Sequence, residues 1–203
     1  DILEAAGFDA PPATIDEAWE MSEVIYEKTG AIAGGYTTTA WKDLWVLFPT
    51  YGIDLVTADG KEAAFNTPKA VELLTKRKEY YDKGLIPDDL LQDSSLAREW
   101  YVDEKLAWWV SGPQLYRQIE DLNPDIYAKS KAAPGFVGDA DTMYSAIQNL
   151  VISNQSKHKD VAVEFVKFIT NAENQLAFTK LVPILPVNKE AAADDFFLEG
   201  EDS

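Results

Sequence analysis

The 203-residue chain has no cysteine, one histidine and two methionines. Without cysteine there is no disulfide, no thiol nucleophile and no thiolate zinc site, and the redox compartment stays open. The lone His158, between Lys157 and Lys159, reads as a solvated residue near a helix start; with no second imidazole, it argues against both a catalytic triad and a transition-metal cluster. Cations are scarce: 18 Lys and Arg stand against 35 Asp and Glu, a formal charge of −17. No basic stripe with interleaved aromatics occurs, so nucleic acid is not a partner. No apolar run approaches the ~20 residues that span a bilayer. Asp1-Ile2-Leu3-Glu4 has neither the basic nor the apolar region of a leader. No Walker motif or Gly-rich dinucleotide fingerprint is found, so no cofactor is expected. Asp139 and Asp141 in a Gly-containing loop lack the rest of a calcium-binding loop, so no metal is expected either. Asp88-Asp89 follows Pro87 as a helix start would, and neighbouring carboxylates point apart instead of forming a glycosidase pair. No catalytic residue is assigned, and the chain reads as a non-enzyme.

What is present is a composition of ordinary globular type, 46% apolar and 26% charged, long enough for one domain or two small ones. Thr14-Ile15-Asp16-Glu17 is a capping box opening a helix that buries Ile15, Ala18, Trp19 and Ile25 and ends near Gly30. Ala31–Thr39 reads as a short strand and a Gly/Thr loop. A helix over Ala40–Tyr51 carries Trp41, Leu44, Trp45 and Phe48 at i, i+3, i+4 and i+7. Asp54–Phe65 is a hairpin-like excursion around Asp59-Gly60. Thr67 caps a helix with Pro68 at its first position; Ala70, Leu73, Leu74 and Tyr81 share one side, and Gly84 ends it. Further on come a helix at Ser94–Val102, a strand at Leu106–Val110, a turn at Gly112-Pro113 and a helix over Gln114–Leu122. An Asn123-Pro124-Asp125 turn, an extended Ile126–Ala133 segment, a strand at Ala146–Ser153 and a long helical region over Lys157–Val182 complete the pass. The run Leu150-Val151-Ile152 predicts burial on both faces, and alternating strands and helices predict an α/β lobe. Asp194–Ser203 is acidic and frayed.

Five blocks in order resemble the extracellular solute-binding proteins of ABC importers, in particular the sugar-binding, maltodextrin-binding-protein-like family. Ala63–Asp89, AAFNTPKAVELLTKRKEYYDKGLIPDD, is similar to a helix-and-turn block of that family's second lobe. In Trp100–Gln114, Lys105, Ala107, Gly112 and Pro113 stand in the family's places, while Glu104 replaces a usual Gly and Gln114 a usual Trp. Ala133-Pro134-Gly135, Ile152–Gln175 and Leu185–Lys189 supply the remaining three blocks. The resemblance implies a mixed sheet flanked by helices in a type II periplasmic-binding-protein-like lobe, only part of a two-lobe protein. Residues 1–137 would be the second lobe and 138–190 a cross-over strand and helix that pack on an absent first lobe. Residues 191–203 would be an acidic tail or return segment. It further implies saccharide capture and delivery to ABC permease subunits, at the cell surface or in the periplasm. Membrane attachment would come only from a lipid anchor outside this chain. It also implies that the chain alone exposes Val161, Phe165, Phe168 and Ile169 and self-associates.

Aromatic residues make up 12% of the chain, which suits a saccharide site, because sugar rings present apolar C–H faces to aromatic faces. The resemblance points to Trp41 as a ligand contact, although Trp41, Trp45 and Phe48 also read as one core stripe; Trp45 and Phe48 are assigned to the core. Trp108 and Trp109, adjacent on a strand, must face opposite sides, one toward core and one toward a cleft. Ser111, Gly112 and Gln114 border the family's cleft, with the Gln114 amide able to replace the missing Trp by hydrogen bonding hydroxyls. Tyr144 and Ser145 occupy ligand-facing places in the family, and Tyr36 is a weaker candidate. Tyr51 and Gly52 read as packing. Two other readings stay open: a free-standing carbohydrate-binding or adhesion module, and a glycan-active hydrolase.

Overall fold

Residues 1–34, 43–93 and 95–197 are described by the computed structural model. In chain order these are α1 (Ile2–Ala6), α2 (Ile15–Thr29), a π-helical turn (Asp43–Leu47) running into α3 (Phe48–Thr50), α4 (Pro68–Asp82), α5 (Asp88–Gln92) and α6 (Leu96–Val102). Then follow α7 (Gln114–Leu122), α8 (Pro124–Lys129), α9 (Lys159–Thr170), α10 (Ala172–Thr179), α11 (Lys189–Ala192) and a 3-10 turn (Asp195–Phe197). Two compact units result: Asp1–Val110 with Ile119–Ser145, and Ser111–Gln118 with the described residues from Ala146 on.

The helix ends follow the sequence signals. Thr14 Oγ1 accepts the Glu17 N–H at 3.1 Å, and Gly30 takes the left-handed conformation that stops α2. The Glu17 carboxylate accepts from Ala13 at 2.8 Å, one residue before the cap itself, so the box closes around the preceding peptide. Thr67 caps α4 through the Ala70 N–H, with Pro68 at the first position. α4 buries Ala70, Leu73 and Tyr80, whereas Leu74 and Tyr81 are exposed. The apolar face therefore runs i, i+3, i+10, and the Tyr81 hydroxyl instead donates to Asp88 at 2.7 Å.

The first unit holds three apolar clusters. Ile15, Ala18 and Trp19 of α2 pack with Leu47, Phe48, Ile53, Leu73, Tyr80 and Phe136. Ala6, Met21, Ile25 and Ala33 form a second cluster, and Ile32, Leu90, Ala97 and Leu106 a third. Across the α2–α4 joint, the Trp19 and Tyr80 rings lie 5.5 Å apart and Lys76 stands 5.0 Å over the Trp19 ring. Asp16 on α2 takes an ion pair from Lys76 and a hydrogen bond from the Tyr51 hydroxyl at 3.1 Å.

Among the described residues the expected mixed sheet is reduced to isolated bridges: Thr14–Val137 and Ile32–Leu106, both parallel, and Val56–Ala63, antiparallel. The last belongs to the expected hairpin, turned by Gly60 in the left-handed region. Ala146–Ser153, expected as a strand buried on both faces, makes no ladder, and Ile147, Leu150 and Val151 are exposed. A strand exists only where a neighbour takes its N–H and C=O groups.

Three further expectations change. Ile126–Ala133, read as extended, begins with helix α8: Asn123 caps it through the Ile126 N–H and Pro124 takes the first position, the same device that Thr67-Pro68 uses. Trp45, assigned to the core, is 60% exposed, while Val46, Leu47 and Phe48 are buried. The π-helical turn over Asp43–Leu47 breaks the 3.6-residue phase on which the expected stripe depended. The long helix expected over Lys157–Val182 breaks at Asn171, whose extended backbone ends α9 and whose side chain caps α10 through the Asn174 N–H at 2.8 Å.

In the second unit, Gln175 Oε1 accepts from the Val187 and Asn188 N–H groups at 3.1 and 2.8 Å, tying α10 to the start of α11. Asp194 accepts from Phe196 and pairs with Lys180 at 3.0 Å, so the tail is ordered through its 3-10 turn. α9 has no buried residue: Val161, Phe165 and Phe168 are exposed, as expected, and Ile169 is half-buried.

Candidate functional site

The extended segment after α6 places the paired tryptophans. Its peptides dock on the Ile32–Ala33 backbone, with Ala107 N–H donating to Ile32 at 3.0 Å and Trp108 N–H to Ala33 at 2.8 Å. Successive side chains therefore leave on opposite sides. Trp108 packs against the first and second clusters, its ring edge-on to Phe136 at 5.8 Å and its Nε1–H donating to the Gly34 carbonyl at 3.1 Å. Trp109 packs on the third cluster with its ring 6.3 Å from Tyr101. Both are half-buried.

Gly34, which the sequence reading placed only in a Gly/Thr loop, proves essential to this arrangement. Its φ is +121°, and a Cβ there would stand 2.1 Å from the Trp108 carbonyl oxygen. Only glycine permits so close a backbone approach. Tyr36 and Trp41 lie outside the described residues.

The loop at Gly138–Thr142 is fastened to α3. Ala140 N–H donates to Thr50 at 3.1 Å, Thr142 Oγ1 to the Pro49 carbonyl at 3.3 Å, and a Cβ on Gly138 would meet the Thr50 oxygen at 2.3 Å. Asp139, weighed with Asp141 for calcium, pairs with Lys69 at 2.8 Å. Among the described residues no group of three or more His, Asp or Glu side chains is placed to hold a metal ion. Beyond this fastening, Met143, Tyr144 and Ser145 are exposed. Tyr51 is buried and its hydroxyl engaged by Asp16, so it packs as expected.

Ser111, Gly112 and Gln114 fall in the second unit, with Ser111 and Gln114 exposed. The Gln114 amide lies across Gly112, where an added Cβ would stand 2.3 Å from its Oε1. Leu115 and Tyr116 donate back to Gly112 and Pro113 at 3.1 Å each, starting the turn into α7. Asp88, considered as half of a carboxylate pair, accepts from Tyr81 and so raises the Tyr81 phenol above its ordinary value. A separate open groove of about 540 Å³ lies along α2, floored by Phe8, Pro11, Met21 and Val24. Glu17 of the capping box lines it, but none of the described candidate ligand-binding residues does.

Residues 1–201 match the family model of bacterial extracellular solute-binding proteins. The chain belongs to that family. It is 26% identical over 210 residues to a Brucella abortus protein assigned as a binding protein, covering all of this chain and 50% of that one. The chain thus spans about half the length of the curated relatives it matches. Among solved structures, a Synechococcus protein assigned as an oligosaccharide periplasmic-binding protein is similar at a TM-score of 0.87 and 30% identity. That likeness covers 95% of this chain and 49% of that one. Maltose-bound MalE3 of T. maritima is similar at a TM-score of 0.75 and 22% identity, over 99% of this chain and 54% of that one. The sugar-binding protein MalE of Xanthomonas citri is similar at 0.76 and 18%, over 98% and 52%. The last two likenesses concern the fold alone, which this chain shares with about half of each of those proteins. Among the described residues no helix is long and apolar enough to cross a membrane.

Proposed function

We propose that this chain is part of the ligand-capturing subunit of an ABC importer, which binds a saccharide or oligosaccharide outside the cell membrane and delivers it to permease subunits without chemical change. The observation that carries this reading is the likeness, at 30% identity and a TM-score of 0.87, to a protein assigned to oligosaccharide binding. Exposed aromatic and amide groups support it: Tyr144 in the first unit and Gln114 in the second offer a ring face and a hydroxyl partner. Trp108, Trp109, Ser111, Gly112 and Ser145 complete the described candidate set, and the family resemblance adds Tyr36 and Trp41. Residues 1–137 are assigned to the second lobe, 138–190 to the cross-over strand and helix, and 191–203 to a tail or return segment. The exposed apolar residues of Ala146–Ser153 and α9 favour a surface that the rest of a longer protein covers.

The test is calorimetry on the full-length protein with maltose, maltotriose, sucrose and free hexoses. Binding of at least one sugar at a Kd near or below ~1 μM, about −8 kcal/mol, with the sugar recovered intact, is expected. Tight binding of a non-sugar solute with no response to any sugar, or release of hydrolysed product, would overturn the reading.

A further inference from the structure

In the segment that carries Trp45, the Val46, Leu47, Phe48 and Thr50 side chains are all under one-tenth exposed, whereas Trp45 is 60% exposed and Pro49 is exposed as well. None of the three apolar clusters includes it. A regular α-helix from 41 to 51 would have put Trp45 on the same stripe as Phe48. The π-helical turn at Asp43–Leu47 instead spends an extra residue within the turn, at a cost in hydrogen-bond geometry, and leaves the indole outward. π-helical turns of this kind are frequent at functional sites. The element is also held firmly, because Leu47 and Phe48 sit in the first cluster and Pro49 and Thr50 anchor the Gly138–Thr142 loop, from which the exposed Tyr144 follows. An exposed indole on an anchored backbone offers the free aromatic face that stacking against a sugar ring requires.

We propose that Trp45 is a ligand-contact residue whose indole face stacks on a pyranose ring of the bound saccharide. This inference rests on the saccharide reading above. The alternative use of an exposed indole is packing against the remainder of a longer protein, where its apolar bulk would matter and its π face would not.

The experiment uses the full-length protein, titrated with the sugar from a panel of maltose, maltotriose, sucrose and free hexoses that the wild type binds best. Trp45→Ala and Trp45→Leu are each expected to weaken binding by about tenfold or more with unchanged melting temperature, and Trp45→Tyr to stay within about threefold of wild type. The sugar-induced change in tryptophan fluorescence should shrink in all three variants. Wild-type affinity in Trp45→Leu, or a lowered melting temperature with unchanged Kd in Trp45→Ala, would overturn the stacking role and leave the saccharide reading standing. A wild type that binds no sugar of the panel would overturn both.

Discussion

Gly34 shows how one residue without a side chain sets the place of a large one. At φ +121° it brings its own carbonyl to the Trp108 indole N–H and its α-carbon against the Trp108 backbone. An alanine there meets two costs, an unfavourable φ and a Cβ inside the contact distance of a backbone oxygen. Gly34→Ala is expected to destabilise the chain by at least ~2 kcal/mol, read as a lower urea midpoint with an unchanged slope. Gly60, also at positive φ but with nothing near its α-carbon, provides the comparison: Gly60→Asn should cost less, since asparagine tolerates the left-handed region in a turn. Equal losses at the two positions would mean that φ alone matters and the approach to Trp108 does not.

At the scale of elements, the α2–α4 joint separates packing from charge. Trp19 is buried against Tyr80, whereas the Lys76–Asp16 pair is about half exposed and screened by solvent. Trp19→Ala should therefore cost ~3–5 kcal/mol through the cavity it leaves. Asp16→Asn keeps an acceptor for Tyr51, loses only the exposed pair and should cost less than ~1 kcal/mol. Urea midpoints of the two variants test the order; a larger loss from Asp16→Asn would show the ion pair, not the ring, holding the helices together.

At the scale of the whole molecule, the described chain leaves apolar surface that a self-contained fold would cover. Phe165 and Phe168 on α9 are 60% and 59% exposed, with Val161 beside them at 62%. Wetting such side chains costs ~1.5–3 kcal/mol each relative to burial. The 203-residue chain by itself is therefore expected to associate with further copies through α9 as concentration rises, against the repulsion of its −17 charge. Light scattering should show this growth in mass, and Phe165→Asp with Phe168→Asp should abolish it. A chain monomeric at all concentrations would place the driving force below the charge repulsion.

Local chemistry was written in the sequence and survived folding: the Thr14 and Thr67 caps, Pro68 at a helix start, Gly30 and Gly84 after helix ends, and the opposite facing of Trp108 and Trp109 each depend on neighbours a few residues away. The ordered motifs likewise carried the family. Element ends and phases were misread where two local readings competed, as at Asn123-Pro124, at Asn171 and on α4, where i+3 and i+4 spacings differ little until a core selects one. The tertiary structure alone decided that Trp45 faces outward, that Gly34 meets Trp108 across 74 residues of sequence and that Lys69 claims Asp139. It also left Ala146–Ser153 without a ladder. Those outcomes depend on what lies across space, and a sheet or a binding face is complete only when its distant partner is there to take its hydrogen bonds and apolar surface.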